Sequence, residues 1–140
     1  MPQPQILPFT DDHIAPARAL WQTLPGVGLS AADKPAALAT FLRRNPGLSR
    51  VAVMDDRLIG TILIGHDGRR GLIHHLAVSR AHRRQGLARR LLDAGLAGLH
   101  AEGIGRAHLF VFADNAEALA FWRATGALYR DDLEMFSIPL

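Results

Sequence analysis

The sequence predicts a mixed α/β fold in which antiparallel hairpins lead into a parallel strand–helix–strand crossover, and three observations carry that expectation. Arg50 to Met54, Leu58 to Gly65 and Gly71 to Val78 are consecutive strand patterns separated by turn residues. Leu87, Leu91, Leu92, Leu96 and Leu99 then recur at spacings of three to five residues, which marks one apolar helical face. Ala107 to Phe112 follows as a strand with little polar interruption, as expected when both faces are covered. A strand, helix, strand unit of this length favours a parallel pair.

The remaining elements follow in chain order. Gln5 to Phe9 reads as a first strand, and Asp11 or Asp12 can cap a helix carrying Ile14, Ala17, Leu20 and Trp21, ended by Pro25-Gly26-Val27-Gly28. Ser30 with Asp33 resembles a capping pair for a second helix through Ala37, Leu38, Phe41 and Leu42, which stops at Asn45-Pro46-Gly47. Asp55-Asp56-Arg57 is a tight hairpin turn, and His66 to Gly71 is the next. Gly103 and Gly105 close the central helix. Asn115 caps a last helix bearing Ala118, Leu119 and Trp122, with Gly126 at its end, and Leu133 to Ile138 is expected as a final strand.

A length of 140 residues suits one domain, 1–140, with a sizeable core. Apolar residues at 49% and charged residues at 21% describe a soluble globular protein. No run approaches the roughly 18 apolar residues of a membrane span. The N-terminal MPQPQILPFTDD lacks a basic region followed by an apolar one, so a cytoplasmic protein without a membrane partner is expected. The absence of cysteine excludes disulfides, thiolate metal sites and a cysteine nucleophile. The net charge of +3 is modest, and of 16 basic residues only Lys34 is a lysine, so arginine, with its forked phosphate geometry, carries the positive charge. Aromatic residues at 6% offer few stacking platforms, which argues against a nucleic-acid partner.

Several chemistries lack their residues. The only lysine precedes Pro35, so no phosphate-loop Gly-x-x-x-x-Gly-Lys-Ser/Thr exists, and the Rossmann glycine triplet is missing. No serine has Gly-x-Ser-x-Gly flanks. No His-Glu-x-x-His occurs, and His74 and His75, adjacent on a strand, are expected on opposite faces, so no metal is expected.

One stretch does carry chemistry. Gly71 to Leu92 runs from a buried strand through an arginine-rich loop closed by Gln85-Gly86-Leu87-Ala88 into a helix. Such a turn aims backbone N–H groups at one point, and the helix dipole adds partial positive charge there. Gly68 to Leu92 contains no Asp or Glu, while Arg69, Arg70, Arg80, Arg83, Arg84, Arg89 and Arg90 all fall within it. Arg89 and Arg90 in the first helical turn oppose the dipole, at a cost of roughly 0.3–1 kcal/mol each. A bound anion would offset that cost.

His75-Leu76-Ala77-Val78 followed by Arg83-Arg84-Gln85-Gly86-Leu87-Ala88 resembles the core motif of the GNAT superfamily of N-acetyltransferases, Arg/Gln-x-x-Gly-x-Gly/Ala after a Leu-x-Val strand. Asn115, Ala118, Phe121 and Gly126 are similar to the family's second motif, Asn-x-x-Ala-x-x-Phe-Tyr-x-x-x-Gly. The resemblance covers residues 50 to 140; residues 1 to 49 match in layout only. It implies a mostly antiparallel sheet of six or seven strands with a central parallel pair, flanked by about four helices. It also implies that acetyl-CoA is the co-substrate. Its pyrophosphate would lie on the amides of Arg83, Arg84, Gln85, Gly86, Leu87, Ala88 and Arg89, its pantetheine along Leu76, Ala77 and Val78, with further contacts from Asn115, Phe121 and Trp122.

Acyl transfer from a thioester to a primary amine, whether on a small molecule or a protein, needs a placed thioester, a proton acceptor and donors for the oxyanion. Backbone N–H groups near Leu76 to Val78 could be those donors if the next parallel strand splays away, as the resemblance implies. An imidazole of pKa about 6.5 suits the acceptor role, so His74 and His75 are the candidates. A family member that acetylates serotonin carries histidine at the position matching His74, which ranks it first. Trp122 departs from the pattern, standing where many members carry the tyrosine that protonates the departing thiolate. Tyr129 is the only tyrosine left for that role. The alternative is a non-catalytic acyl-CoA-binding or regulatory module. A homodimer is compatible with either.

Overall fold

The structure, a computed structural model, describes residues 3–140 in two units, a first that ends at Phe110 and a second, Val111–Leu140. The first contains β1 (Gln5–Pro8), α1 (Ile14–Gln22), α2 (Pro35–Arg44), β2 (Arg50–Met54), β3 (Arg57–His66), β4 (Gly71–Val78), α3 (Leu87–Ala101) and β5 (Ala107–Leu109). One-turn 3₁₀ segments occupy Asp11–His13, Ala31–Asp33 and Arg80–His82. The second unit contains α4 (Ala116–Ala124).

The strands form one mixed sheet in the order β1-β2-β3-β4-β5, antiparallel except for the parallel β4–β5 pair. The fold class is therefore as expected, with four corrections. Among the described residues the sheet has five strands rather than six or seven, and the parallel pair closes one edge of it instead of lying centrally. β5 stops at Leu109, short of Phe112. Leu133 to Ile138 is no strand: Leu133, Met135, Phe136 and Ile138 are all exposed. The apolar alternation of Leu133 and Met135 slips by one at Phe136, so the segment presents no single face to bury.

Local rules account for most boundaries. Asp55 and Asp56 have φ of 51° and 60°, the left-handed pair that a two-residue hairpin turn requires. The Ser30–Asp33 capping pair is present, with Ser30 N–H donating to Asp33 Oδ2 at 2.9 Å and Ala32 N–H to Ser30 Oγ at 3.2 Å. Pro35 then occupies the first turn of α2, where its missing N–H costs nothing. Before α1 the expected cap moves: Thr10, not Asp11 or Asp12, is the cap, its N–H donating to His13 Nδ1 at 2.9 Å.

β3 alternates between two helical layers. Leu63 joins Phe9, Ile14, Ala17, Trp21, Leu24, Leu38, Leu42, Val51 and Ala77 in the core under α1 and α2. Ile64 faces α3, where a Cβ on Gly95 would lie 2.8 Å from the Ile64 side chain. That glycine lets the helix settle on the sheet and bury Leu87, Leu91, Leu92 and Leu99. Each such side chain contributes roughly 1.5–3 kcal/mol on full burial. In the second unit, Asn115 Oδ1 accepts the Ala118 N–H at 3.1 Å, and Gly126 at φ 87° ends the helix. No helix among the described residues is long and apolar enough to cross a membrane.

Candidate active site

The turn between β4 and α3 is built mainly from backbone. Ser79 N–H donates to Ile59 O at 2.8 Å where β4 ends, and Arg83 Nε–H donates to Val78 O at 3.4 Å. Arg84 and Gly86 both have left-handed φ, 62° and 75°. A Cβ on Gly86 would meet no atom within 4 Å, so glycine is required there by its conformation and not by space. Gly86 is the N-cap of α3, and Arg90 N–H makes the first helical bond, to Gly86 O at 3.1 Å. The N–H groups of Leu87, Ala88 and Arg89 therefore precede the ladder and are available to an anion. The first turn holds no acidic residue. Arg89 does not lean into the turn: its Nε–H donates to Asp93 Oδ1 at 3.0 Å, an exposed pair that offsets part of the dipole repulsion. Arg90 Nη2 likewise donates to Pro4 O at 3.1 Å. Donors, cations and a glycine-dependent backbone fit a pyrophosphate.

The strand before this turn is irregular. The parallel β4–β5 register runs only from Gly71↔Ala107 to Ile73↔Leu109, so Leu76, Ala77 and Val78 lie beyond it. On the β3 side Leu63 pairs with His74 but Thr61 with Ala77, so His75 and Leu76 together face Ile62. This bulge carries His75 at φ 46°, a left-handed conformation that costs a non-glycine residue roughly 1–3 kcal/mol. Side chains hold it. Thr61 Oγ1 donates to the His75 carbonyl at 2.8 Å and accepts Trp21 Nε1–H at 2.8 Å.

The bulge overturns the expectation that His74 and His75 point to opposite faces. The inserted residue shifts strand parity, and both rings lie under α1 and α2. His74 stands edge-on to Phe41 of α2, ring centroids 6.1 Å apart, and His75 lies 4.7 Å from Trp21 of α1. The two imidazoles are 6.5 Å apart. Burial, and secondarily the neighbouring His75, hold the His74 pKa below the usual 6.5, with Asp33 opposing. His75 Nε2 meets Asp33 Oδ1 at 2.7 Å. Among the described residues no group of three or more His, Cys, Asp or Glu could hold a metal ion.

Sequence reasoning missed Asp33, Thr61 and Trp21. Asp33 was legible only as a helix cap, since its contact with His75 spans 42 positions. The remaining predicted residues belong to the second unit. Asn115 uses its side chain to cap α4, Phe121 stands edge-on to Trp122 at 5.1 Å, and Tyr129 is exposed with Arg123 stacked 5.8 Å above its ring.

Residues 15–127 match the model of the acetyltransferase (GNAT) family. The chain belongs to that family. Acetyltransferase ECA0875 of Pectobacterium atrosepticum is 31% identical over 81 residues, 58% of this chain and 57% of that protein. Acetyltransferase SG1711 of Sodalis glossinidius matches over the same extent at 31%. The matched region thus spans little more than half of each curated relative. Among solved structures, Ard1 from Thermoplasma volcanium has a TM-score of 0.77 at 23% identity, over 88% of this chain and 81% of that one. AAC(6')-Iy in complex with a CoA bisubstrate analogue has 0.76 at 16%, over 99% of both. The ribosomal-protein-S18-alanine N-acetyltransferase from Escherichia coli has 0.73 at 21%, over 89% and 77%. At these identities the structures establish the shared fold.

Proposed function

We propose that this GNAT protein is a single-domain, cytoplasmic N-acetyltransferase, 1–140, which moves an acetyl group from acetyl-CoA to a primary amine by direct attack in a ternary complex. The observation that carries the reading is the junction of β4 with α3, where a bulged strand leaves its parallel partner and runs into a left-handed glycine turn at a helix start. The amides of Gly86 to Arg89, with Arg83 and Arg84, hold the pyrophosphate, and Leu76 to Val78 pairs with the pantetheine arm.

The chemistry follows from the parts. The neutral amine attacks the thioester carbonyl, the oxyanion is met by backbone N–H groups of Leu76 to Val78, and the amine proton passes to an imidazole of the His74–His75 pair. The C–S bond then breaks. A thiol of pKa about 8.5 is a tolerable leaving group as thiolate, so Trp122 need not replace a general acid, and Tyr129 is the only phenol that could.

Primary amines and peptides with free N-termini, incubated with acetyl-CoA and assayed for thiol release, test the reading. Acceptor-dependent release is the expected result. Tight acetyl-CoA binding with no release across both classes would instead assign a non-catalytic acyl-CoA module.

A further inference from the structure

We propose that Asp33 is a positioning residue for this transfer: it fixes the His75 ring in the tautomer whose Nδ1 accepts the proton of the acceptor amine. The proposal rests on the N-acetyltransferase reading above and assigns the proton acceptor to His75 rather than His74.

The geometry dictates the tautomer. Asp33 is 6% exposed, and both of its carboxylate oxygens are engaged, Oδ1 with His75 Nε2 at 2.7 Å and Oδ2 with the Ser30 N–H at 2.9 Å. An ionised carboxylate only accepts, so the proton between the two groups resides on His75 Nε2. A neutral ring protonated at Nε2 carries its lone pair on Nδ1. The carboxylate, accepting from Nε2–H, then stabilises the imidazolium that forms when Nδ1 takes the amine proton. Nitrogen gains the acyl carbon as the C–S electron pair leaves with sulfur, and the proton rests on Nδ1.

The ring and its partner are held from several sides. Trp21 lies 4.7 Å from the His75 ring, and Thr61 fixes the backbone carbonyl of the same residue at 2.8 Å. Arg18 Nε–H donates to the Asp33 backbone carbonyl at 2.9 Å, tying α1 to the same turn. The titratable and charged groups around His75 are thus His74 on β4, Asp33 on the Ala31–Asp33 turn and Arg18 on α1. Of the two rings, His75 is the one hydrogen-bonded to the carboxylate, while Asp33 reaches His74 through its charge alone.

Asp33→Asn separates positioning from capping. The amide oxygen still accepts from the Ser30 N–H, but the NH₂ now faces His75 Nε2 and forces the ring into the Nδ1–H tautomer. With an acceptor confirmed by thiol release, kcat is expected to fall about 100-fold or more, in the range set by loss of a general base. Acetyl-CoA affinity and the circular dichroism spectrum should stay as in the wild type. His75→Gln should lose as much, and the double variant no more than either. Long-range ¹H–¹⁵N correlation should find the Nε2–H tautomer in the wild type and the Nδ1–H tautomer in Asp33→Asn.

A wild-type Nδ1–H tautomer would overturn the proposal, as would Asp33→Asn turning over within twofold of wild type. If Asp33→Asn fails to fold, His75→Gln decides alone, and full activity there sinks it. A wild-type protein that acetylates no amine removes the transferase reading and this proposal together, whereas an active wild type with an equally active Asp33→Asn removes only this one.

Discussion

The two ends of the stretch from Gly71 to Leu92 achieve their polar chemistry by opposite means. At the β4 bulge the polar groups are side chains locked to one another across distant segments, Trp21 to Thr61, Thr61 to the His75 carbonyl, and His75 to Asp33. At the start of α3 the donors are backbone N–H groups, and the flanking cations Arg89 and Arg90 are engaged with Asp93 and Pro4. A backbone site depends on one residue's φ. A side-chain site depends on several elements arriving together, so the two should fail independently.

Gly86→Pro is the strongest way to test that separation. Proline fixes φ near −65° where the turn has 75°, and it removes an N–H. Acetyl-CoA affinity measured by calorimetry is expected to fall at least about 100-fold, at the cost scale of a disallowed backbone conformation. The His75 tautomer should be untouched. Retained affinity would break the assignment of the turn as the anion cradle.

Thr61→Val tests the other end with a smaller effect. It is nearly isosteric but strands the Trp21 indole N–H and the His75 carbonyl. Urea unfolding should show a loss of about 1–3 kcal/mol, the cost of buried polar groups without partners. Acetyl-CoA affinity should change little, and a large change would mean the two ends are coupled.

The smallest effect concerns pH. Burial keeps the His74 pKa below its unfolded value of 6.5. Between the lowered folded value and 6.5 the unfolded chain binds the extra proton, so stability rises with pH through that window and is lost as pH falls through it. His74→Gln should flatten this slope in urea unfolding series run from pH 5 to 7.5. An unchanged slope would assign it to other groups.

Legibility in the sequence divides along the same line. The strand, Gly86 turn and leucine-spaced α3 were readable because each is a local pattern of residue type and spacing. The Ser30–Asp33 cap and the Asp55–Asp56 hairpin were readable for the same reason. The bulge was not, because nothing in His74-His75-Leu76 marks an extra residue; it is set by the register of β4 against β3. Strand parity extrapolated through it therefore put His74 and His75 on opposite faces, where the structure has both under α1 and α2. Asp33 was found as a cap and missed as a histidine partner, since the second contact exists only once α1, the Ala31–Asp33 turn and β4 have packed. The C-terminal strand failed because hydrophobic content was read without noticing that its alternation slips at Phe136.

Trp21 gives the site an optical consequence. Its indole is 1% exposed and lies tilted against the His75 ring, while the chain's only other tryptophan is Trp122. An excited indole donates an electron readily to an imidazolium and poorly to a neutral imidazole. In a Trp122→Phe background, the emission intensity of the protein therefore reports the charge on His75, without label, substrate or turnover.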